Sequence, residues 1–233
     1  MKKHRLLSLF LSFALLLPLF ASFSAEAYED FTLDARAGLL IEADTGEILY
    51  EKNAHQENYP ASLTKIMTAL LVFEAIDEGK LSLSDSITAT ESAFEGLASD
   101  GSSADIVPGE TMTVEQLLNC MLIVSANETC NILGEYISGS VEAFVARMNE
   151  RASELGCEHT HFANATGLHN SQHYTTAWDL YLITREAMKH EKFMEICNSK
   201  SYTVPATNMT EKPRELHSTN FLISNWRARG YVY

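Results

Sequence analysis

The secondary-structure signals in this chain follow one order, with short strands at the front and helices behind them. Residues 38–43 and 47–50 have strand character, and the Asp44-Thr-Gly46 turn between them is tight and contains glycine. Over 62–79 apolar residues recur at helical spacing, and the run ends at a glycine, a common C-terminal stop. This order predicts a mixed α/β chain of the α+β kind with a helical lobe.

Further helix signals follow in the second half of the chain. Residues 81–110 are rich in Ser, Asp, Thr and Gly, and we expect a surface excursion there. Thr113-Val-Glu-Gln116 then forms a capping-box pattern, which predicts the start of a helix. A polar break at 125–127 precedes another apolar-periodic run, and helical periodicity returns at 141–155 and 176–190.

The composition is that of a folded chain with a core. The 233 residues suffice for one ordinary domain or for a lobed two-part domain. Apolar side chains make up 46% of them, which excludes disordered, collagen-like and low-complexity classes. The formal net charge of −14 argues against a nucleic-acid partner, because so acidic a chain cannot neutralise a row of phosphates.

The first 27 residues differ in kind from the rest. A basic start at 2–5 is followed by an almost wholly apolar run over 6–23, and Ala25-Glu-Ala27 has the pattern that signal peptidase reads. We interpret 1–27 as a cleaved export signal and 28–233 as the mature domain, which predicts a location outside the cytoplasm. An uncleaved membrane anchor is the alternative, since about 18 apolar residues approach the length that spans a bilayer.

The mature chain contains four cysteines, at positions 120, 130, 157 and 197. An even number in an exported protein permits two disulfides, with three pairings. Buried free thiols are the alternative, since Cys120 lies in an apolar helical run. The spacings match no zinc-ligand pattern, and no cofactor or metal is implied.

Ser62 and Lys65 lie three positions apart at the start of a predicted helix, so both side chains face the same side. A serine nucleophile needs a neighbouring base, and a lysine can serve where desolvation lowers its pKa. The helix N-terminus favours a developing oxyanion, for which the Ser62 N–H is a candidate donor. The spacing is common by chance, and a capping serine followed by an exposed lysine is the alternative.

A second polar motif occupies the gap between two apolar helices. Ser125 and Asn127 lie there, where side chains can turn into a cleft. The Ser125 hydroxyl could relay a proton toward a leaving amine, while the Asn127 amide could hold Lys65 and a substrate carbonyl. A loop serine that caps the following helix is the alternative. Ser-x-Asn also occurs at 218–220, but without helices on both sides.

Four blocks in sequence order contain or extend these motifs. They are PASLTKIMT at 60–68, SAN at 125–127, F-x-N-x-TGL at 162–168 and HYTTA-x-DL at 173–180. Together they resemble the low-molecular-mass penicillin-binding proteins, and more narrowly the serine-type D-alanyl-D-alanine carboxypeptidases. The similarity runs from about residue 30 to the C-terminus, nearly the whole mature chain.

The resemblance implies a serine β-lactamase/transpeptidase-like fold, in which a five-stranded antiparallel sheet flanked by helices meets a helical lobe at the active site. It implies that Ser62 is the acyl-ester nucleophile and Lys65 the general base. Ser125 and Asn127 would form the second catalytic motif.

The same resemblance implies the partners. The substrate would be a peptidoglycan stem peptide ending in D-Ala-D-Ala, and β-lactam antibiotics would acylate the same serine. Asn164, Gly167, Leu168 and the block from His173 are interpreted as structural: a turn with its glycine, then a helix start. His173 as a catalytic base is the less favoured reading.

One element of the family pattern does not occur in this sequence. The third motif, Lys followed by Thr or Ser and then Gly, supplies the family with groups for the substrate carboxylate and leads to a second oxyanion donor. The block at 218–220 resembles the segment just upstream of it. We therefore expect a truncated chain with an incomplete sheet and little or no carboxypeptidase activity. Membrane association would depend on a C-terminal region outside this sequence.

Two rival functions remain open. A class A β-lactamase shares the fold and the first two motifs, but its deacylating carboxylate lies in a Glu-x-x-Leu-Asn segment downstream of the second motif. Here that string occurs at 115–119, upstream, and we interpret it as a decoy. The other rival is a cell-wall-binding module of the same fold without catalysis.

Overall fold

The computed structural model describes residues 33–220 and residue 223. The export signal predicted for 1–27 lies outside these residues. From Arg36 onward the chain forms one compact unit. Within the described residues, no helix combines the length and the apolar character that crossing a bilayer would require.

Six α-helices lie within the described ranges. In chain order they are α1 (Thr64–Asp77), α2 (Val114–Val124), α3 (Asn127–Ser138), α4 (Val141–Glu154), α5 (Ala177–Ala187) and α6 (Glu191–Cys197). The run predicted at 176–190 therefore ends at Ala187, and a separate short helix follows it.

Local sequence determines where several of these helices begin and end. Thr113 and Gln116 form the predicted capping box, in which each side chain bonds to the other's backbone. Ser140 and Thr176 cap α4 and α5 through their hydroxyl groups. Gly79, just beyond α1, has φ +70°, a conformation that glycine adopts without strain.

The strands form three separate antiparallel pairs. They are β1 (Gly38–Ile41) with β2 (Ile48–Lys52), β3 (Ser86–Thr88) with β4 (Thr111–Thr113), and β5 (Ser201–Val204) with β6 (Arg214–His217). The mixed α/β class and the N-terminal strand pair are as predicted. A five-stranded sheet is not present in the described ranges, where β1 and β2 pair only with each other.

The prediction of a surface excursion over 81–110 is wrong in part. Ile87 and Ile106 are buried there, and β3 pairs with the strand that leads into α2. Glu110 is also buried, and Arg214 of β6 forms an ion pair with it at 2.7 Å. Polar composition concealed a few apolar anchors, because a short strand buries only every second side chain.

Helix α1 lies in the middle of the helical core. It packs against α3 and α5. Leu70 of α1, Leu118 of α2 and Leu133 of α3 are fully buried. The residues just before α1 are consequently held by a rigid, well-packed element.

All four cysteines are free. Cys120, Cys130 and Cys157 are buried and Cys197 is half-buried. Burial raises the pKa of the Cys120, Cys130 and Cys157 thiols to about 12, so these groups are inert, uncharged core side chains. The alternative of buried thiols therefore describes this structure, and the disulfides do not form in it.

Candidate active site

A short turn of 3₁₀ helix, Ala61–Leu63, carries Ser62 into the start of α1. Ser62 is exposed, whereas Lys65 on the first turn of α1 is only 3% exposed. The residue that caps α1 is Leu63, and it makes no side-chain bond. The reading of a capping serine with an exposed lysine therefore does not hold, because Ser62 caps nothing and Lys65 is buried.

The backbone before Ser62 is strained and closely packed. Ala61 has φ +48°, a left-handed conformation that costs a non-glycine residue free energy. Gly167, with φ +90°, lies directly against it, so that a Cβ atom at position 167 would stand 1.9 Å from the Ala61 carbonyl oxygen. The predicted turn glycine thus also permits the close approach that holds Ser62 in place.

The Lys65 ammonium group connects three parts of the site. Its Nζ donates to Ser62 Oγ at 3.2 Å, to Asn127 Oδ1 at 2.8 Å and to the Thr166 carbonyl oxygen at 2.8 Å. These partners lie 3, 62 and 101 residues away in sequence. One buried cation thereby brings together α1, α3 and the loop around Thr166.

Burial lowers the pKa of Lys65, because desolvation disfavours its charged form. The charges of Cys130, were it ionised, and of Glu128 act in the opposite direction. The net direction is the one that makes an unprotonated lysine available as a base.

Asn127 begins α3, and its side chain is oriented from both ends. Its Oδ1 accepts from Lys65, which leaves the two Nδ2 hydrogens for other acceptors. Its backbone N–H donates to the Ser102 carbonyl oxygen at 2.9 Å. Asn127 is therefore a fixed amide donor at the edge of the site.

Ser125 lies at the junction of α2 and α3 in a left-handed conformation, with φ +63°. Its Oγ is buried and has no hydrogen-bond partner among the described residues. It does not cap α3, whose cap position is Ala126. The structure therefore brings Ser62, Lys65 and Asn127 into one network but does not join Ser125 to it. An orphaned buried hydroxyl on a strained backbone is a group awaiting a partner.

Sequence reasoning missed the role of Thr166. The Asn164 side chain folds this loop by accepting from the N–H groups of Thr166 and Gly167 and donating to the Leu168 carbonyl. This Asx turn aims the Thr166 carbonyl at Lys65. Neither the Asx pattern nor the adjacent glycine indicates which carbonyl meets a lysine 101 positions away.

His173 is packed beneath the site rather than in it. Its Nε2 lies 2.7 Å from Thr64 Oγ1, and its Nδ1 accepts from the Ala163 N–H at 3.1 Å. Desolvation lowers the pKa of His173 to about 4, with a smaller contribution from His161. A neutral, doubly bonded imidazole positions the 162–168 loop against α1.

Within residues 33–220 no three His, Cys, Asp or Glu side chains converge on a point where a metal ion could sit. The chemistry of the site is that of hydroxyl, amine and amide groups. Helix start, buried lysine and asparagine together form an arrangement for activating the Ser62 hydroxyl.

Comparison with known proteins gives this arrangement a family. The D-alanyl-D-alanine carboxypeptidase model of the S11 peptidases matches residues 23–228. The chain therefore belongs to the D-alanyl-D-alanine carboxypeptidase family of serine peptidases.

Individual relatives agree with this assignment. The D-alanyl-D-alanine carboxypeptidase DacF of Bacillus subtilis is 39% identical over 204 residues, which cover 88% of this chain and 51% of DacF. A D-alanyl-D-alanine carboxypeptidase of Streptomyces is 31% identical and 69% covered. A crystal structure of the Streptomyces K15 DD-transpeptidase superposes with a TM-score of 0.76 at 29% identity, covering 85% of this chain and 79% of that one. The chain has their fold, and it spans about half the length of DacF.

Proposed function

We propose that this chain acts as a serine-type D-Ala-D-Ala carboxypeptidase that removes the terminal D-Ala from peptidoglycan stem peptides and binds penicillins. The observation that carries the proposal is the network centred on Lys65. A buried lysine with a lowered pKa contacts both the exposed Ser62 hydroxyl and the Asn127 amide. An ordinary surface lysine would be charged and solvated, and could not act as a base.

In the acylation step, Ser62 Oγ attacks the carbonyl carbon of the penultimate D-Ala while Lys65 Nζ takes its proton. The oxyanion that forms accepts from the Ser62 backbone N–H at the start of α1, where the helix dipole favours negative charge. Asn127 Nδ2 holds the substrate amide, since Oδ1 is engaged by Lys65.

Collapse of the tetrahedral adduct breaks the C–N bond and releases the terminal D-Ala. The leaving amine needs a proton, which Ser125 Oγ relays from the protonated Lys65. The unpartnered Ser125 hydroxyl supports this role, because a bound substrate would supply the missing hydrogen bond. Water then hydrolyses the Ser62 ester and the amine returns to its starting state.

Labelling with a fluorescent penicillin tests the proposal. We expect wild-type protein to form a covalent adduct that Ser62→Ala cannot form. Ser92→Ala is a matched control, since Ser92 is also exposed at the start of a 3₁₀ turn, Ser92–Phe94. Because the Lys-Thr-Gly motif does not occur in this sequence, the same variants should also be made in a chimera that continues into the unmatched C-terminal part of DacF.

The chimera also allows release of D-Ala from a D-Ala-D-Ala tripeptide to be measured. Turnover that requires Ser62 supports a carboxypeptidase. A folded chimera that neither forms an adduct nor releases D-Ala would overturn the proposal and favour a wall-binding module.

The β-lactamase alternative receives no support from the position of its decoy string. Glu115 lies in the first turn of α2 and forms an ion pair with Lys192 at 2.6 Å. Fast hydrolysis of a chromogenic cephalosporin, in place of a long-lived adduct, would reverse this ranking.

A location outside the cytoplasm belongs to the same proposal. Residues 1–27 would direct export, and residues 28–233 would form the catalytic domain. Fusing residues 1–27 to a reporter that is active only after export, and comparing it with a version whose apolar run carries two arginines, tests this.

A further inference from the structure

Glu128 is a buried carboxylate that the proposed reaction does not use. It follows Asn127 in the first turn of α3 and is 3% exposed. Its hydrogen bonds come from neutral donors: Oε1 accepts from Ser103 Oγ at 2.8 Å and from the Ala104 N–H at 2.7 Å. Burying a carboxylate is costly, so a carboxylate held in this way has a local task.

The segment over 101–104 forms a wall beside Asn127. The Ser102 carbonyl accepts from the Asn127 N–H. A Cβ atom at Gly101 would lie 2.7 Å from Asn127 Nδ2, so the backbone of this segment touches the amide that donates to substrate. Glu128 holds the far end of the same wall through Ser103 and Ala104.

Glu128 also acts on Lys65 through space. Its negative charge favours protonated Lys65 and so opposes the lowering of the lysine's pKa by burial. The other titratable group of α3 that faces Lys65 is Cys130, whose pKa of about 12 keeps it uncharged. Glu128 is thus the charged group on α3 that acts on the amine.

We propose that Glu128 is a positioning residue for acylation, which holds the 101–104 wall against the Asn127 amide and thereby keeps Asn127, Lys65 and Ser62 aligned. This inference rests on the proposed function for the roles of those three residues. Its structural part, the wall, stands independently.

Three measurements on Glu128→Ala and Glu128→Gln test the inference. They are the rate of penicillin labelling, hydrogen exchange of the Ala104 amide, and the NMR titration of Lys65, assigned with Lys65→Arg. Glu128→Ala should expose the Ala104 amide and slow labelling about a hundredfold, since small misplacements of catalytic groups cost that much.

Glu128→Gln separates charge from geometry. It keeps the acceptor oxygen, so the Ala104 amide should stay protected. It removes the negative charge, so Lys65 should titrate at lower pH and the acidic limb of the labelling rate should shift the same way. A purely structural carboxylate would leave both pH profiles unchanged.

Glu135 provides the matched control. It lies two turns further along α3 and accepts from Ser92 Oγ at 2.6 Å, so it too anchors a preceding segment. Glu135→Gln should leave the Lys65 titration and the labelling rate at wild-type values. If Glu128→Ala fails to fold, Ser103→Ala replaces it, with a several-fold slower rate expected.

Two outcomes would overturn the inference. One is a folded Glu128→Ala that labels at the wild-type rate, and the other is a Lys65 titration that ignores Glu128→Gln. If no variant labels, including wild type and the chimera, the proposed function fails. The exchange and titration measurements then still decide whether Glu128 holds the wall and acts on Lys65.

Discussion

The start of α1 and the β1–β2 pair differ sharply in how completely their groups are satisfied. Around Lys65 every hydrogen bond of the amine is to protein, and Leu70 further along α1 is fully buried. In the strand pair, Leu40, Ile48 and Leu49 are between 44% and 57% exposed. An open apolar groove of about 740 Å³ lies between β1, α1 and α5.

This difference separates two kinds of order in one chain. Secondary structure forms in both regions, since a hairpin and a helix need mainly local bonds. Only the α1 region adds the dense packing that holds catalytic side chains at fixed distances. A site that depends on a desolvated lysine therefore belongs in the helical region rather than beside the strand pair.

The largest expected effect is the loss of the Lys65 amine. Lys65→Met keeps the apolar stem but removes the base, and penicillin labelling of Ser62 should slow about a thousandfold, the size of a general-base contribution. Stopped-flow or gel-based labelling measures it, and circular dichroism checks folding. The control Lys80→Met alters an exposed lysine paired with Glu78 and should label normally. Normal labelling of Lys65→Met would remove the lysine from the mechanism.

The next effect concerns the core beneath the site. Leu118→Ala in α2 removes a fully buried side chain and should lower the free energy of unfolding by about 3 to 4 kcal/mol, through lost burial and the cavity left behind. Urea unfolding measures the change. A cost below about 1 kcal/mol would mean that the helical core is less tightly packed than these contacts indicate.

A pH-dependent loss of stability should follow from His173. Its folded pKa of about 4 is below the unfolded value of about 6.5, so the unfolded chain binds the proton more readily. The stability contributed by the neutral imidazole is complete above about pH 6.5 and is lost as the pH falls toward 4, by at most about 3 kcal/mol.

Urea unfolding of wild type and His173→Gln between pH 4.5 and 7 measures this term. The slope should flatten in the variant. His159→Gln, at an exposed histidine, should leave the slope unchanged. Equal slopes in wild type and His173→Gln would show that His173 titrates normally.

The smallest effect is expected in the strand pair. Leu49→Ala alters a side chain that is 57% exposed, and it should change the free energy of unfolding by less than about 0.5 kcal/mol. The same urea titration as for Leu118→Ala gives a direct ratio between the two regions. A cost near that of Leu118→Ala would abolish the contrast.

Features that depend on neighbours in sequence were predictable here. The β1–β2 hairpin, the capping box at Thr113 and the helix before Gly79 all follow from residues within a few positions of each other. The pairing of Ser62 with Lys65 belongs to the same class, because one helical turn brings them together.

Features that depend on distant residues were not predictable in the same way. Burial of Lys65, its bond to the Thr166 carbonyl and the hold of Glu128 on the 101–104 wall each join segments far apart in the chain. The buried anchors of 81–110 escaped notice for the same reason.

Sequence alone therefore determined the local elements and the residue types that could carry the chemistry. Tertiary structure decided which of these groups are desolvated and which carbonyls and amides face them. The physical reason is that hydrogen-bond geometry within a turn depends on local backbone angles, whereas the pKa of an amine depends on everything packed around it.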